Sequence, residues 1–305
     1  MTHPRVCITG AGGFVGSAIA EGFAALGWQV TAVDRGFDDA ARARLTAADL
    51  VMADLDLGVP PNLPSAARLV VHAAAVTTDH ETMGWTAAAH VAANMRPLLA
   101  VLEHVARTRP DAFVFLSSSG VFGPDDGSDA LRDTDTPTAA TPYAVAKRAG
   151  ELLTLSALDG RSAAHVVRLG YVYGPHEAAR PSRERVSLVA QWLADARAGR
   201  PLHVREDDPA RDWTFSTDLA PALACLVSGP GSGRPLHLCS PHVMRDSAVA
   251  GLVASHFPGA GLRRASAAGP TKPPMHPSEV ASFRDFAWTT PDAGIARLAA
   301  MEAAA

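Results

Sequence analysis

Cysteine is scarce in this 305-residue chain: there are three, at positions 7, 225 and 239, with no CxxC or metal-ligand spacing. That argues against a disulfide framework and for a reducing compartment. An excess of positive charge is also missing. Lys and Arg number 27 against 31 Asp and Glu, a net charge of −4, which argues against a nucleic-acid partner. No run of about 18 apolar residues goes uninterrupted. The N-terminus enters a strand pattern without a charged leader, apolar core and cleavage site. The expectation is a soluble, cytoplasmic protein with no membrane contact. The 12 histidines show no HExxH or similar spacing, so no metal is expected. Repeats, heptads and low-complexity tracts are absent. What is present is ordinary globular material, 48% hydrophobic and 19% charged, enough for a large core and about two domains.

Short apolar runs at 6–9, 29–34, 50–54, 69–73, 113–117 and 166–169 read as strands. Helical periodicity covers 14–26, 85–107 and 143–158 between them. This alternation predicts βαβ units and a parallel sheet covered on both faces, a doubly wound α/β fold. After Gly174 the character changes. A helix is expected over 187–198, stopped by Gly199 and Pro201. Loops are expected over 228–235 and over 258–280, the latter with Pro270, Pro273, Pro274 and Pro277. Residues 1–174 plus about 212–240 read as a nucleotide-binding domain, and about 175–211 plus 241–305 as a smaller C-terminal substrate-binding lobe.

The segment Thr9-Gly10-Ala11-Gly12-Gly13-Phe14-Val15-Gly16 follows the first strand and opens a helix. Glycines at 10, 13 and 16 let backbone pass close to a pyrophosphate, and the helix N–H groups then face the anion. A tight strand–helix turn without ligand is the plainer reading. Asp34 ends the second strand, 18 residues beyond Gly16. A carboxylate there accepts both ribose hydroxyl protons and repels a 2′-phosphate, favouring NAD over NADP. Arg35 beside it could pair with that phosphate instead. Asp54 and Leu55, at the end of the third strand, could hold an adenine edge.

Only three tyrosines and two lysines occur, and two of them form Tyr143-Ala144-Val145-Ala146-Lys147. On a helix they share a face. A nearby ammonium stabilises phenolate, which would make Tyr143 a general acid/base for hydroxyl–carbonyl interconversion. An amphipathic surface pair is the plainer alternative. Ser117, Ser118 and Ser119 end the fifth strand, where α/β sheets bind ligands; turn chemistry alone would also suit them. The arginines at 180, 183 and 185 suit either an anionic substrate or a solvated loop. Tryptophans at 85, 192, 213 and 288 suit packing between lobe and sheet.

Together TGAGGFVG at 9–16, Asp34, Asp54-Leu55, HAAA at 72–75, SSSGVFG at 117–123, PYAVAK at 142–147, RLGYVYGP at 168–175 and RDWTFSTDLA at 211–220 resemble the NAD-dependent epimerase/dehydratase family of extended short-chain dehydrogenases/reductases. The resemblance implies a Rossmann-type sheet and NAD as cofactor. It implies a carbohydrate-type small-molecule substrate and a homodimer built on the helices at 85–107 and 143–158. It assigns Ser118, Tyr143 and Lys147 to catalysis. Gly10, Gly13, Phe14, Val15, Gly16, Asp34, Arg35, Asp54, Leu55, Ala73, Ala74, Ala75, Asn94 and Ser117 would accompany Tyr143 and Lys147 around the cofactor. Asn94 would help position Lys147 through water. Ser118, Ser119, Tyr171, Arg180 and Arg211 would meet substrate, Arg211 gripping a diphosphate. The chain departs from the family pattern in two places. Ser119 and Gly120 stand where dehydratases carry an acidic pair, and Tyr171 stands where nucleotide-sugar enzymes carry Asn. Epimerisation is favoured slightly over net dehydrogenation of a sugar acid or polyol, dehydration is disfavoured, and a non-catalytic NAD sensor is the reading from another class.

Overall fold

The computed structural model describes residues 3–60, 63–158, 160, 162–266 and 271–303; Pro270 of the expected loop lies outside them. In chain order the elements are β1 (Arg5–Thr9), α1 (Phe14–Ala25), β2 (Gln29–Asp34), α2 (Asp39–Arg44), β3 (Ala48–Met52), β4 (Leu69–His72) and α3 (Ala87–Thr108). There follow β5 (Ala112–Ser118), α4 (Pro142–Ala157), β6 (Ala163–Leu169), β7 (Tyr171–Tyr173), α5 (Leu188–Arg197), β8 (Leu202–Arg205), β9 (Ala210–Phe215) and α6 (Leu219–Leu226). The chain ends with β10 (Pro235–Leu238), β11 (Val243–Arg245), α7 (Asp246–His256), β12 (Leu262–Ala265) and α8 (Pro291–Ala303).

Seven strands pair in the order β10-β6-β5-β4-β1-β2-β3, all parallel. The order reverses between β1 and β4, and the crevice beyond their C-terminal ends is where such sheets bind ligands. Alternate strand residues supply two cores. Val6, Ile8, Val114 and Leu116 pack with Ile19 and Phe23 of α1 and Leu223 of α6. Cys7, Phe113 and Phe115 pack with Leu98, Val101 and Val105 of α3. β7, β9 and β11 form a separate three-stranded sheet, and β8 pairs with β12. Residues 171–173 thus pair with 213–215, apart from the main sheet, and Asp212 pairs with Val243. A third core around Trp192, Trp213, Tyr173, Phe215 and Ile295 holds this lobe together.

Several expected boundaries shift, among them the start of β6, at Ala163 instead of 166. β3 runs over Ala48–Met52 instead of 50–54, because Asp54 leaves the strand and its side chain accepts from the Asp56 N–H at 3.0 Å. The loop expected over 228–235 gives way at Pro235 to β10, and the one over 258–280 contains β12. Among the described residues no helix is long and apolar enough to cross a membrane.

Candidate active site

The crevice above β1 and β4 opens into a cleft of about 1090 Å³ between the sheet and the lobe. One floor is the glycine turn. Gly10 has φ +75°, and a Cβ added there would lie 2.4 Å from the Ala74 nitrogen. A Cβ on Gly16 would lie 2.1 Å from the Gly10 carbonyl oxygen. The β1 and β4 turns are therefore packed backbone on backbone, leaving the groove clear. Gly13 caps α1 in an extended conformation, and the first turn of that helix carries no acidic residue. Phe14 and Val15 border the cleft above it.

Asp34 closes a second feature. Its Oδ2 accepts from the Gly12 N–H at 2.9 Å and its Oδ1 from the Gly36 N–H at 3.2 Å. Gly12 was not singled out in the sequence, yet a Cβ on it would meet both Asp34 and the Gly36 carbonyl oxygen. Asp34, Arg35, Asp54 and Leu55 line a smaller chamber of about 120 Å³, bounded on the other side by Ala73, Ala74 and Ala75. A groove cleared of side chains, a helix N-terminus without acid and a carboxylate at the end of β2 together fit a dinucleotide.

The reactive-group cluster sits at the far end of the cleft. Thr141 caps α4, its Oγ1 accepting from Ala144 N–H at 3.2 Å, and Pro142 occupies the first turn. This start sends Tyr143 and Lys147 toward the C-terminal end of β5. Tyr143 and Ser118 meet over Gly120, where an added Cβ would lie 3.2 Å from both Ser118 Oγ and Tyr143 Cε1, and Ser118 Oγ accepts from the Gly120 N–H at 3.0 Å. Lys147 is buried, donates to the Leu116 carbonyl at 2.8 Å, and lies 5.0 Å from the Phe115 ring centroid. Burial pulls its ammonium down to about 8 against the opposing pull of Glu151. The Tyr143 phenol is pushed up by burial, opposed by Ser118 and Arg183. The Lys147 Nζ that donates to Leu116 stands 5.8 Å from the Tyr143 ring centroid.

Several other expected site residues have partners within the protein. Asn94 Oδ1 accepts from Val76 N–H at 2.9 Å, and its Nδ2 donates to the Val76 and His90 carbonyls. Ser117 borders the cleft, but its hydroxyl donates to Glu151 Oε1 at 2.6 Å. Arg211 is turned onto Asp246 by two bonds of 2.6 and 2.9 Å and stacks 4.7 Å from the Tyr171 ring centroid. Tyr171 Oη accepts from the Leu188 N–H at 3.0 Å, anchoring the start of α5. Arg180 pairs with Asp38. Ser119 offers its carbonyl oxygen to Lys272.

That last contact was missed in the sequence. Both lysines of the chain donate to carbonyls at the end of β5, one before Ser118 and one after it. Their scarcity was the available signal. Beneath the cluster lies a buried ion pair that was missed as well: Arg168 grips Glu151 through two bonds of 2.8 Å. Glu151 follows Lys147 by one helical turn. His72, at the end of β4, holds Thr9 Oγ1 at 2.7 Å through Nδ1, and burial with Lys147 nearby pulls it down to about 3, so it stays neutral. Among the described residues no group of three or more His, Cys, Asp or Glu is placed to hold a metal ion.

The sequence matches the NAD dependent epimerase/dehydratase family over residues 6–239. A dTDP-4-dehydro-6-deoxy-D-allose reductase of Streptomyces bikiniensis is 30% identical over 241 residues, 73% of this chain and 72% of that protein. An NAD dependent NDP-hexosamine 5,6-dehydratase, TunA, involved in tunicamycin biosynthesis, has the same fold. It aligns with TM-score 0.81 at 20% identity, over 100% of this chain and 99% of that one. A UDP-glucuronic acid 4-epimerase from Bacillus cereus, solved in complex with NAD, aligns with TM-score 0.80 at 18% identity, over 95% and 94%. With the family's match spanning most of the chain and a dinucleotide groove to account for it, this protein belongs to the NAD dependent epimerase/dehydratase family.

Proposed function

We propose that this enzyme oxidises a secondary hydroxyl of a sugar or nucleotide sugar at Tyr143 and Ser118 and completes an epimerisation. The observation that carries the reading is the meeting of Tyr143 and Ser118 around Gly120, beside the buried Lys147, at the strand ends that border the groove. NAD, which the glycine turn and Asp34 would hold, would supply the hydride acceptor and donor. Tyr143 takes the hydroxyl proton as general base and gives it back as general acid. Ser118 holds the oxygen while it becomes carbonyl. Lys147, freed from Leu116 or sharing it, donates to the ribose and stabilises phenolate as Tyr143 ionises.

Dehydration is disfavoured on steric as well as chemical grounds. A Cβ added at Gly120 would lie 3.2 Å from both Ser118 Oγ and Tyr143 Cε1, so an acidic side chain there would crowd the pair. Net oxidation or reduction is the second reading, supported by the reductase relative from Streptomyces bikiniensis. The two differ in one measurement. An epimerase forms product with no net absorbance at the reduced nicotinamide band, whereas a dehydrogenase accumulates reduced cofactor with product.

Tyr143→Phe is expected to lose about 100-fold or more in turnover, the scale of one acid–base group, while NAD binding by calorimetry persists. Turnover equal to the parent's would remove Tyr143 from the mechanism, and with it the basis for setting aside an NAD sensor. A cytoplasmic homodimer belongs to the same proposal. Leu99, Val145 and Leu152 on α3 and α4 are exposed, while Ala144, Ala146 and Gly150 point inward, Gly150 against Phe115. The contact would therefore rest on the larger side chains, and the mass in solution decides it.

A further inference from the structure

We propose that the hairpin at 180–183 is a strap that crosses above the dinucleotide pyrophosphate and is latched by Arg180 to Asp38, so that NAD stays bound from one turnover to the next. This rests on the NAD-dependent reading above and sharpens it: a retained cofactor suits an enzyme that returns its hydride.

The hairpin belongs to the lobe but lies on the nucleotide side. Arg180 and Arg183 exchange both backbone hydrogen bonds, at 2.9 and 2.8 Å. Pro181 occupies the turn between them, a position where its fixed φ pre-forms the bend. The Ser182 carbonyl oxygen accepts from the N–H groups of Thr77 and Thr78, at 2.8 and 3.2 Å, just beyond β4. Glu184 N–H donates to Thr78 Oγ1 at 2.9 Å. At the base, the Glu177 carboxylate takes Arg183 and both donors of Ser187. At the other side Arg180 reaches Asp38, the residue that caps α2 after β2. The hairpin is thus tied to the sheet beyond β4 and beyond β2, one on each flank of β1.

What lies beneath is the groove. Arg180 and Ser182 border both the large cleft and the smaller Asp34 chamber, and Gly10 and Gly13 border both from below. The strap stands over the point where the two chambers meet. A dinucleotide with adenosine beside Asp34 and nicotinamide beside Tyr143 has its pyrophosphate at that point. Below it is the acid-free first turn of α1. Above it are two guanidinium groups, with that of Arg183 5.3 Å from the Phe14 ring centroid. Two arginines facing a helix N-terminus across a groove form a charge-assisted clamp for a doubly anionic group.

The test reads nucleotide release, not catalysis. Purified protein is loaded with NADH, and its fluorescence is followed after mixing with excess NAD. Arg180→Ala, which removes both latch and phosphate contact, is expected to release NADH at least about tenfold faster than the parent, as loss of a charged hydrogen bond allows. Asp38→Asn keeps the α2 cap and removes only the latch. An exposed ion pair is weak, so about threefold is expected there. Equal release from parent and both variants overturns the strap and leaves the NAD reading standing. A parent that binds no NADH overturns both.

Discussion

At the scale of single residues, the buried Glu151–Arg168 pair governs what can be changed beneath the reactive groups. Both side chains are almost wholly buried, and Arg168 also lies 4.9 Å from the Phe122 ring centroid. Removing one partner strands the other's charge in the interior. Glu151→Ala is therefore expected to cost about 3–5 kcal/mol in urea unfolding. Glu151→Gln, which keeps acceptor oxygen for Ser117, should cost less. Equal stability of Glu151→Ala and parent would show that the pair carries no net burden. The sequence made the glycine turn, Asp34, Tyr143 and Lys147 legible because each depends on a short local spacing. It hid the partners of Arg211 and Arg180, because those lie 35 and 142 positions away. No local pattern encodes such distances.

At the scale of elements, α1 and α6 meet on one face of the sheet at a point with no room to spare. A Cβ on Gly22 of α1 would lie 2.4 Å from the Ala220 Cβ. Gly22→Ala gains about 1 kcal/mol in helix propensity. Forcing the helices apart costs about 1–3 kcal/mol. The steric cost wins, so a net loss of about 1 kcal/mol in unfolding free energy is expected, relieved when Ala220→Gly is added. A stabilised single variant would show that the two helices separate freely. Strands β1, β2, β4, β5 and β6 were legible because central parallel strands are near-continuous apolar runs. The lobe strands were not. β8 alternates Leu202, His203, Val204 and Arg205, and β12 carries Arg263 and Arg264 in an almost fully exposed segment. Such short polar strands read as loop until their partners are known.

At the scale of the whole molecule, three histidines sit fully buried on β4, β6 and β10. Burial pulls His72 down to about 3 and His165 and His237 to about 4. Below the ordinary histidine pKa of about 6.5 the unfolded chain takes protons that the folded one refuses, so stability falls with pH. By pH 5 each withdraws on the order of 2 kcal/mol. Asp212 runs the other way. Burial raises it to about 6, so the folded chain protonates it first and recovers about 1–2 kcal/mol between pH 6 and 5. Asp218 is raised in the same sense. The histidines prevail, and the urea midpoint is expected to drop clearly between pH 7 and pH 5. A midpoint that held or rose would mean that the imidazoles are already charged in the folded state.

The hairpin over the groove has a further consequence, in the order of assembly. A ligand enters an open trough sideways, but it enters an arch only by threading or after the arch has lifted. A dinucleotide has a bulky ring system at each end, so lifting is the easier path. Loading would then have a ceiling set by the rate at which the arch opens, however much nucleotide is supplied. A chain that closes around NAD while it folds avoids that ceiling altogether, and would carry its coenzyme as a built-in part from the start.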